Sequence, residues 1–382
     1  MPLRKNYLPL SRFRRQIKTT MDTLKNIAAK FALEGEATTV KTLGEGFIND
    51  TYLVWMDGSA EPAYILQRKN HQVFPDVPAM MENIRKVTEH IKAKVRDPLR
   101  ETLTVIPARD GKLFFQDEGG NFWAVTRYIG GTMSYTKADT PALAFQGGLG
   151  LGQFHQLVSD FQEPLTEVIK GFHNIRWRFQ QWDQTLASDP AGRAGNLREE
   201  IGWIESRRTE MLTFYEKFEQ GIIPTRVTHN DTKISNFLFN ADDSTLLCAI
   251  DLDTLMSSMI LNDTGDALRS YTNTGEEDEP DPGRVSMSME MFRSYIEGYL
   301  SKMGRELTPV EIDYLAFSGI YITFEQVLRF LMDYLDGDRY YKIKYPEHNL
   351  VRTRAQYKLL TSMEAQLEEM NGVVRSLCDK QE

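Results

Sequence analysis

The sequence predicts an α+β chain: a small antiparallel sheet first, then a larger and mostly helical part. Short runs of β-branched and aromatic residues gather before residue 130, helical periodicity dominates after it, and Gly130-Gly131 separates the two regions. The expected organisation is residues 1–20 as a basic extension, 21–130 as an N-lobe and 131–382 as a C-lobe, with the glycine pair as hinge.

The elements follow in order. After Met21, the residues Leu24, Ile27, Ala28 and Phe31 keep helical spacing, and Gly35 is placed to end that helix. Residues 38–43 and 51–55 read as strands around Gly44-Glu45-Gly46-Phe47-Ile48-Asn49-Asp50. Glycine lacks the Cβ that keeps backbone N–H groups away from phosphates, so Gly44, Gly46 and Asn49 are candidate nucleotide contacts. An ordinary hairpin loop would carry the same two glycines. Residues 63–68 form a third strand holding Gln67, and 79–94 a helix with Met81, Ile84, Val87 and Ile91 on one face. Strands near 103–107 and 122–129 close the region, and Tyr128 and Ile129 join the nucleotide set.

In the second region, the acidic run 276–281 reads as a solvated loop, with an acidic partner site as the alternative. A helix carries Met289, Phe292, Ile296 and Tyr299. Thr308-Pro309-Val310-Glu311 supplies an N-cap, a proline at the first helical position and a capping-box glutamate, opening a helix that should run to residue 335. Near the C-terminus, Met363, Leu367, Met370, Val374 and Leu377 form a stripe expected to pack on its own domain. That expectation implies a monomer or a weak homodimer.

Composition narrows the function. The 382 residues are 41% hydrophobic with a mean hydropathy of −0.42, and no apolar stretch is long enough to be read as a membrane span. Arg4, Lys5, Arg12, Arg14, Arg15 and Lys18 lie in residues 1–20 with no acid, so the net charge of −9 splits into +6 there and −15 over the remainder, an acidic body unsuited to nucleic acid. The basic leader fits a disordered extension or a transit peptide. Cys248 and Cys378 lack metal or disulfide spacing, and Cys248 sits in an apolar strand, which suits a reducing cytoplasm.

The chemistry concentrates in His229-Asn230-Asp231, with Asn236 five residues beyond the aspartate and Asp251 at the end of the next apolar run. Ile222, Ile223 and Val227 lead in as strand-like residues. The runs 237–239 and 246–250, joined by the turn 240–244, predict a hairpin that folds Asp251 back beside Asn236. Phosphoryl transfer from a magnesium nucleotide needs such a set: one carboxylate to orient an attacking hydroxyl, then an amide and a second carboxylate for the metal. Asp231 is therefore the candidate base, Asn236 and Asp251 the magnesium ligands, and Lys233 the candidate charge-neutralising group. His229 is expected to brace the loop, Asp253 to meet substrate or a second magnesium, Asp266 and Arg269 to form a buried structural pair, and His155 to be a satisfied core histidine.

The segments VTHNDTKISNFLF (227–239), AIDLDT (249–254), DTGDALR (263–269), GEGFINDTYLV (44–54) and KYPEHNLVRTR (344–354) together resemble the N-acetylhexosamine 1-kinases. YILQ (64–67), FPD (74–76) and RFLMDYLDGD (329–338) fit the same pattern, so the likeness runs from about residue 21 to the end. These enzymes are a branch of the aminoglycoside phosphotransferase and choline kinase-like family. The resemblance implies a two-lobed protein kinase-like fold and transfer of the ATP γ-phosphate, with magnesium, to the C1 hydroxyl of GlcNAc or GalNAc in amino-sugar salvage. It assigns Asp231 as base, Asn236 and Asp251 to magnesium, and Arg329 and Tyr340 to the sugar pocket. As an alternative, Arg329 pairs with Asp333 one turn along its helix. Two departures stand out: Gln67, followed by Arg68 and Lys69, where many kinases place a lysine, and Phe47 where the resemblance predicts histidine. Another sugar, choline or homoserine as acceptor, or a catalytically silent nucleotide-binding module, are the competing readings.

Overall fold

The computed structural model describes residues 21–43 and 48–380; the 1–20 extension and the loop residues Gly44, Gly46 and Phe47 lie outside the described residues. The chain divides into two compact units. One comprises the chain up to Val73 together with Thr104–Gly130, the other Phe74–Leu103 together with the chain from Gly131.

In the first unit, α1 (Met21–Ala28) precedes β1 (Ala37–Thr42), β2 (Asp50–Met56), β3 (Tyr64–Lys69), β4 (Val105–Ile106), β5 (Phe115–Gln116) and β6 (Phe122–Arg127). All pairings are antiparallel, in the order β1-β2-β3-β6-β4, and β5 also pairs with β6. Period-two alternation sends Tyr64 and Leu66 of β3, Val54 of β2, and Trp123 and Val125 of β6 into a core that Leu24, Ile27 and Phe31 complete. Strands expected over 103–107 and 122–129 are shorter, because β4 makes only two pairs with β6. The two-residue β5 has no sequence signal of its own.

The second unit begins with α2 (Val77–Lys92). Asp76 caps it, and its early proline sits where no N–H is needed, so the helix starts ahead of the expected residue 79. The sequence reading gave this helix to the N-lobe, but its hydrogen bonds lie within the second unit. Asn83 Nδ2 donates to Thr166 O (2.8 Å) and Leu255 O (3.0 Å), and Asn83 Oδ1 accepts the Thr166 N–H at 3.0 Å. Then come β7 (Thr132–Met133), α3 (Pro141–Leu157), α4 (Ile175–Ser188), α5 (Arg198–Glu205), α6 (Arg208–Glu219), β8 (Arg226–Thr228), β9 (Phe237–Asn240), β10 (Leu246–Ala249), β11 (Met256–Ser258), α7 (Ile260–Tyr271), α8 (Met289–Met303), α9 (Pro309–Leu335) and α10 (His348–Cys378).

Helix α9 is the buried centre of this unit. Thr308 Oγ1 accepts the Glu311 N–H and Glu311 Oε2 accepts the Thr308 N–H, which is the expected capping box. Among the described residues only α9 is long and apolar enough to cross a bilayer, and 78% of that apolar window is buried inside the protein. Helix α10 packs on α9 and α8 and buries Met363, Met370, Val374 and Leu377. Helices α3 and α8 touch through glycines: a Cβ on Gly148 would fall 2.0 Å from Tyr295 O, and one on Gly298 2.1 Å from Phe145 O. This contact makes a helix of a glycine-rich segment whose intrinsic propensity opposes one.

The acidic run is largely exposed, as expected, and ion pairs also tie it down. Glu276 pairs with Lys137 (2.9 Å), Glu277 with Arg269 (2.8 Å) and Asp278 with the buried His348 (2.8 Å).

Candidate active site

Strand β8 delivers His229-Asn230-Asp231 into a loop that closes through a 3-10 turn at 234–236 and enters β9. The lead-in is shorter than the sequence suggested, and Ile222 is half exposed. The β9–β10 hairpin forms as expected: Phe237 faces Ala249, and Asn236 O accepts the Ile250 N–H at 2.8 Å, which sets Asn236 beside Asp251. Asn230 (φ 64°) and Asp251 (φ 56°) adopt the left-handed region, which non-glycine residues seldom occupy without support from their surroundings.

That support is a network around α7. Asp263, fully buried, accepts the backbone N–H groups of His229 and Asn230, each at 2.7 Å, one on each carboxylate oxygen. His155 Nε2 lies 2.9 Å from Asp263 while its Nδ1 meets Tyr299 Oη at 3.0 Å, so it is the satisfied core histidine that was expected. Asp266 accepts the Thr232 N–H at 3.0 Å and pairs with Arg269 at 3.1 Å, and Arg269 also holds Glu277. His229 Nε2 donates to Ile250 O at 2.8 Å and Nδ1 accepts the Asp231 N–H at 3.3 Å. Both its nitrogens serve the loop.

At the loop's open face Lys233 Nζ sits 2.9 Å from Asp231 Oδ2. Burial pushes the Lys233 ammonium down, but the charges of Asp231, Asp251 and Asp266 outweigh it and hold it above the ordinary lysine value. Asn236 Nδ2 donates to Asp231 O at 2.9 Å, which leaves the amide oxygen and the exposed Asp251 carboxylate as the oxygen donors of this corner. Two such donors suit magnesium, which fills its remaining positions from phosphates and water. Asp253, two residues on, is buried. Cys248 of β10 is also buried, with its thiol pushed up to about 12 by desolvation, so it behaves as a small hydrophobe.

In the first unit Gln67 lies opposite Thr51 and Ala124 in the middle of the sheet. Its Nε2 donates to Thr51 Oγ1 at 3.3 Å, and its Oε1 accepts from Lys69 Nζ at 2.7 Å. A lysine is therefore present on the same face as Gln67, two residues further along β3, and it is buried. Asn49 Oδ1 accepts the Asn70 N–H at 3.1 Å, tying the end of the glycine loop to the end of β3. Tyr128 and Ile129 lie at the other end of that strand, where the Tyr128 N–H meets Ala63 O at 2.9 Å.

Arg329 lines a cavity of about 450 Å³ in the second unit, together with Arg178, Gln181, Asp333, Tyr340 and Tyr341. Its guanidinium lies 5.7 Å from the Phe172 ring, 5.8 Å from Tyr340 and 5.6 Å from Tyr341. The alternative pairing with Asp333 does not form. Asp333 instead accepts the N–H groups of Arg339, Tyr340 and Tyr341 and the Asn349 amide, capping the turn that presents the two tyrosines. Phe172 also lines a smaller cleft of about 150 Å³ that reaches Asn230, and His173 shares that wall. Burial pushes the Glu325 carboxyl up, but the hydrogen bond of His173 and the charges of Arg178 and Arg329 outweigh it and hold the group below its usual range.

A family model described as the phosphotransferase enzyme family APH matches residues 39–292. The chain belongs to this phosphotransferase family. Among solved structures, a microcompartment-associated aminopropanol kinase is similar at 17% identity and a TM-score of 0.63, covering 92% of this chain and 99% of that one. An aminoglycoside phosphotransferase from Alicyclobacillus acidocaldarius is similar at 14% identity and 0.59 (92% and 96% covered). A spectinomycin phosphotransferase solved with ADP and spectinomycin is similar at 14% and 0.54 (93% and 98% covered). At these identities the likeness is one of fold, and the expected protein kinase-like α+β fold is this chain's fold.

For a phosphotransferase, the 229–236 loop offers a carboxylate beside a cation and a nearby pair of oxygen donors. That arrangement can orient a hydroxyl and neutralise charge on a transferred phosphoryl group. Sequence reasoning missed Asp263, although its i, i+3 spacing with Asp266 on α7 carried a signal. It also missed Arg178, His173 and Glu325, whose partnership spans more than 140 residues and leaves no mark in a single sequence.

Proposed function

We propose that this phosphotransferase is an ATP- and magnesium-dependent kinase of the anomeric hydroxyl of N-acetylhexosamines, GlcNAc or GalNAc, yielding the 1-phosphate. The observation that carries the acceptor class is Arg329 among Phe172, Tyr340 and Tyr341. Aromatic rings that would cage a quaternary ammonium already face a guanidinium of the protein itself, and Arg178 adds a second cation to the cavity wall. Cationic acceptors such as choline, ethanolamine or an aminoglycoside meet these two guanidinium groups, with the Asp333 and Asp336 carboxylates of the same wall offsetting part of the repulsion. A neutral polyol with a carbonyl meets donors. The sequence motifs point the same way.

In this reading Asp231 accepts the C1 hydroxyl proton late in transfer while aligning its oxygen with the γ-phosphorus, and Lys233 offsets charge on the moving group. Asn236 and Asp251 would hold magnesium, which when bound supplies neutralisation of the nucleotide phosphates. Asp253, Arg329 and Tyr340 face the sugar. Gly44, Gly46, Asn49, Gln67, Tyr128 and Ile129 serve the nucleotide, and the spectinomycin phosphotransferase solved with ADP supports an adenine nucleotide as donor.

The test is incubation with ATP, magnesium and a panel of GlcNAc, GalNAc, galactose, choline, ethanolamine and homoserine, with products identified by NMR. GlcNAc or GalNAc should gain phosphorus on C1. Phosphorus on another carbon, or faster transfer to choline or ethanolamine, would overturn the reading.

A further inference from the structure

His173 follows Phe172 in the loop before α4 and lines the cleft of about 150 Å³ that also contains Asn230, the residue before Asp231. Its side chain is only 8% exposed, and its Nδ1 lies 2.7 Å from Glu325 Oε2 of α9. Glu325 is a buried carboxylate whose other oxygen is 3.4 Å from the Arg178 guanidinium, so it accepts both bonds and His173 Nδ1 carries the shared proton. In the neutral ring that tautomer puts the lone pair on Nε2. Nε2 is buried and has no hydrogen-bond partner among the described residues. Native proteins seldom leave such an atom unmatched unless a ligand or water meets it.

Of the polar groups around the neighbouring cavity, Arg178 and Arg329 can only donate, the Asp333 carboxylate is occupied by three backbone N–H groups and an amide, and Gln184 and Asp336 carry further acceptor oxygens. A polyol brings O–H donors as well as oxygens, and it needs an acceptor held at a fixed angle. We propose that His173 is a specificity-determining residue of the acceptor site, its Nε2 accepting a hydrogen bond from one hydroxyl, or from the acetamido N–H, of the sugar. Glu325 is the positioning residue that fixes the tautomer and ring plane. The inference rests on the hexosamine reading and adds to it the group that reads a substrate donor.

The test compares wild type, His173→Asn and His173→Gln on GlcNAc, its 3-, 4- and 6-deoxy analogues and 2-deoxyglucose, which has no donor at C2, with the KM for ATP measured alongside. Asparagine keeps an N–H near the Nδ1 position and removes the Nε2 acceptor, whereas glutamine restores an amide near it. His173→Asn should lose about tenfold in kcat/KM on GlcNAc, carried by KM for the sugar, and lose nothing further on the one analogue that lacks the group read by Nε2. Wild type should show a similar penalty on that same analogue, His173→Gln should recover part of the loss, and the KM for ATP should stay within about twofold. Parallel losses across the whole panel, or a wild type indifferent to every analogue, overturn the assignment of His173 while leaving the hexosamine reading intact. A wild type that transfers phosphate to no hexosamine overturns both. If His173→Asn does not fold, His173→Gln and the wild-type panel decide by the same criteria.

Discussion

Lys233 Nζ and Asp231 Oδ2 lie 2.9 Å apart on the loop between β8 and β9, both side chains partly open to solvent. Partly exposed ion pairs of this kind add at most about 1 kcal/mol to stability, so the pair should matter for turnover more than for folding. Asp231→Asn should lower kcat by about 10²–10⁴ with ATP affinity and melting temperature nearly unchanged. Lys233→Met should lower kcat by about 10²–10³ with the KM for the acceptor little affected. Near-normal turnover of Asp231→Asn in steady-state assays would remove Asp231 as the base.

Arg329→Met should raise the KM for the hexosamine about tenfold, leave the KM for ATP unchanged and relax the exclusion of choline, because the three rings around it would then face a neutral side chain. Competition assays with choline read this directly. If choline still fails to inhibit the variant, the charge of Arg329 is not what excludes cations.

Stability should decline in acid through Asp266 and Glu325. In each case burial pushes the carboxyl up, but the Arg269 charge for Asp266, and the His173 hydrogen bond with the Arg178 charge for Glu325, outweigh it and hold the folded-state value below the ordinary one. A depressed folded value gives stability that is complete above the unfolded pKa of about 4 and lost as pH falls through the folded one. Melting temperature should be level from pH 7 to about pH 5 and fall below about pH 4. Asp266→Asn and Glu325→Gln should melt lower at pH 7 and show a shallower acid decline; slopes equal to the wild type's would contradict the linkage.

Thr308→Ala should destabilise the second unit by about 1 kcal/mol, the usual cost of an N-cap. Glu311→Ala should cost more, about 3–5 kcal/mol, because the fully buried Glu311 also makes two bonds to Arg226 at 2.8 and 2.9 Å, and its loss strands that cation. Urea titrations of the two variants give the comparison.

Local chemistry was the legible part of the chain. The capping box at Thr308, the hairpin that sets Asn236 against Asp251, the Asp266–Arg269 pair and the satisfied His155 all follow from residue type and short spacing. What depends on distant partners was not legible. The acidic run is exposed at Glu276 and Glu277 as read, but two of the partners that hold it, Lys137 and His348, lie 139 and 70 residues away and left no mark. The glycine-rich α3 read as helical only at the apolar face that carries His155, because the rest of its support comes from the close approach of α8. Arg329 and Asp333 share a helical face, which made a pair plausible, yet the turn at 339–341 claims the carboxylate.

The membership of α2 in the second unit bears on how this chain can be taken apart. A fragment ending at Gly130 would carry α2 without Thr166 and Leu255, the backbone partners of its buried Asn83, and would leave Met80, Met81, Ile84, Val87 and Ile91 as an apolar stripe with nothing from the second unit to cover it. Chimaeras that exchange the sheet-bearing part between relatives therefore need three junctions, after Val73, Leu103 and Gly130, and a single crossover at the glycine pair would graft a foreign helix onto the recipient's interior.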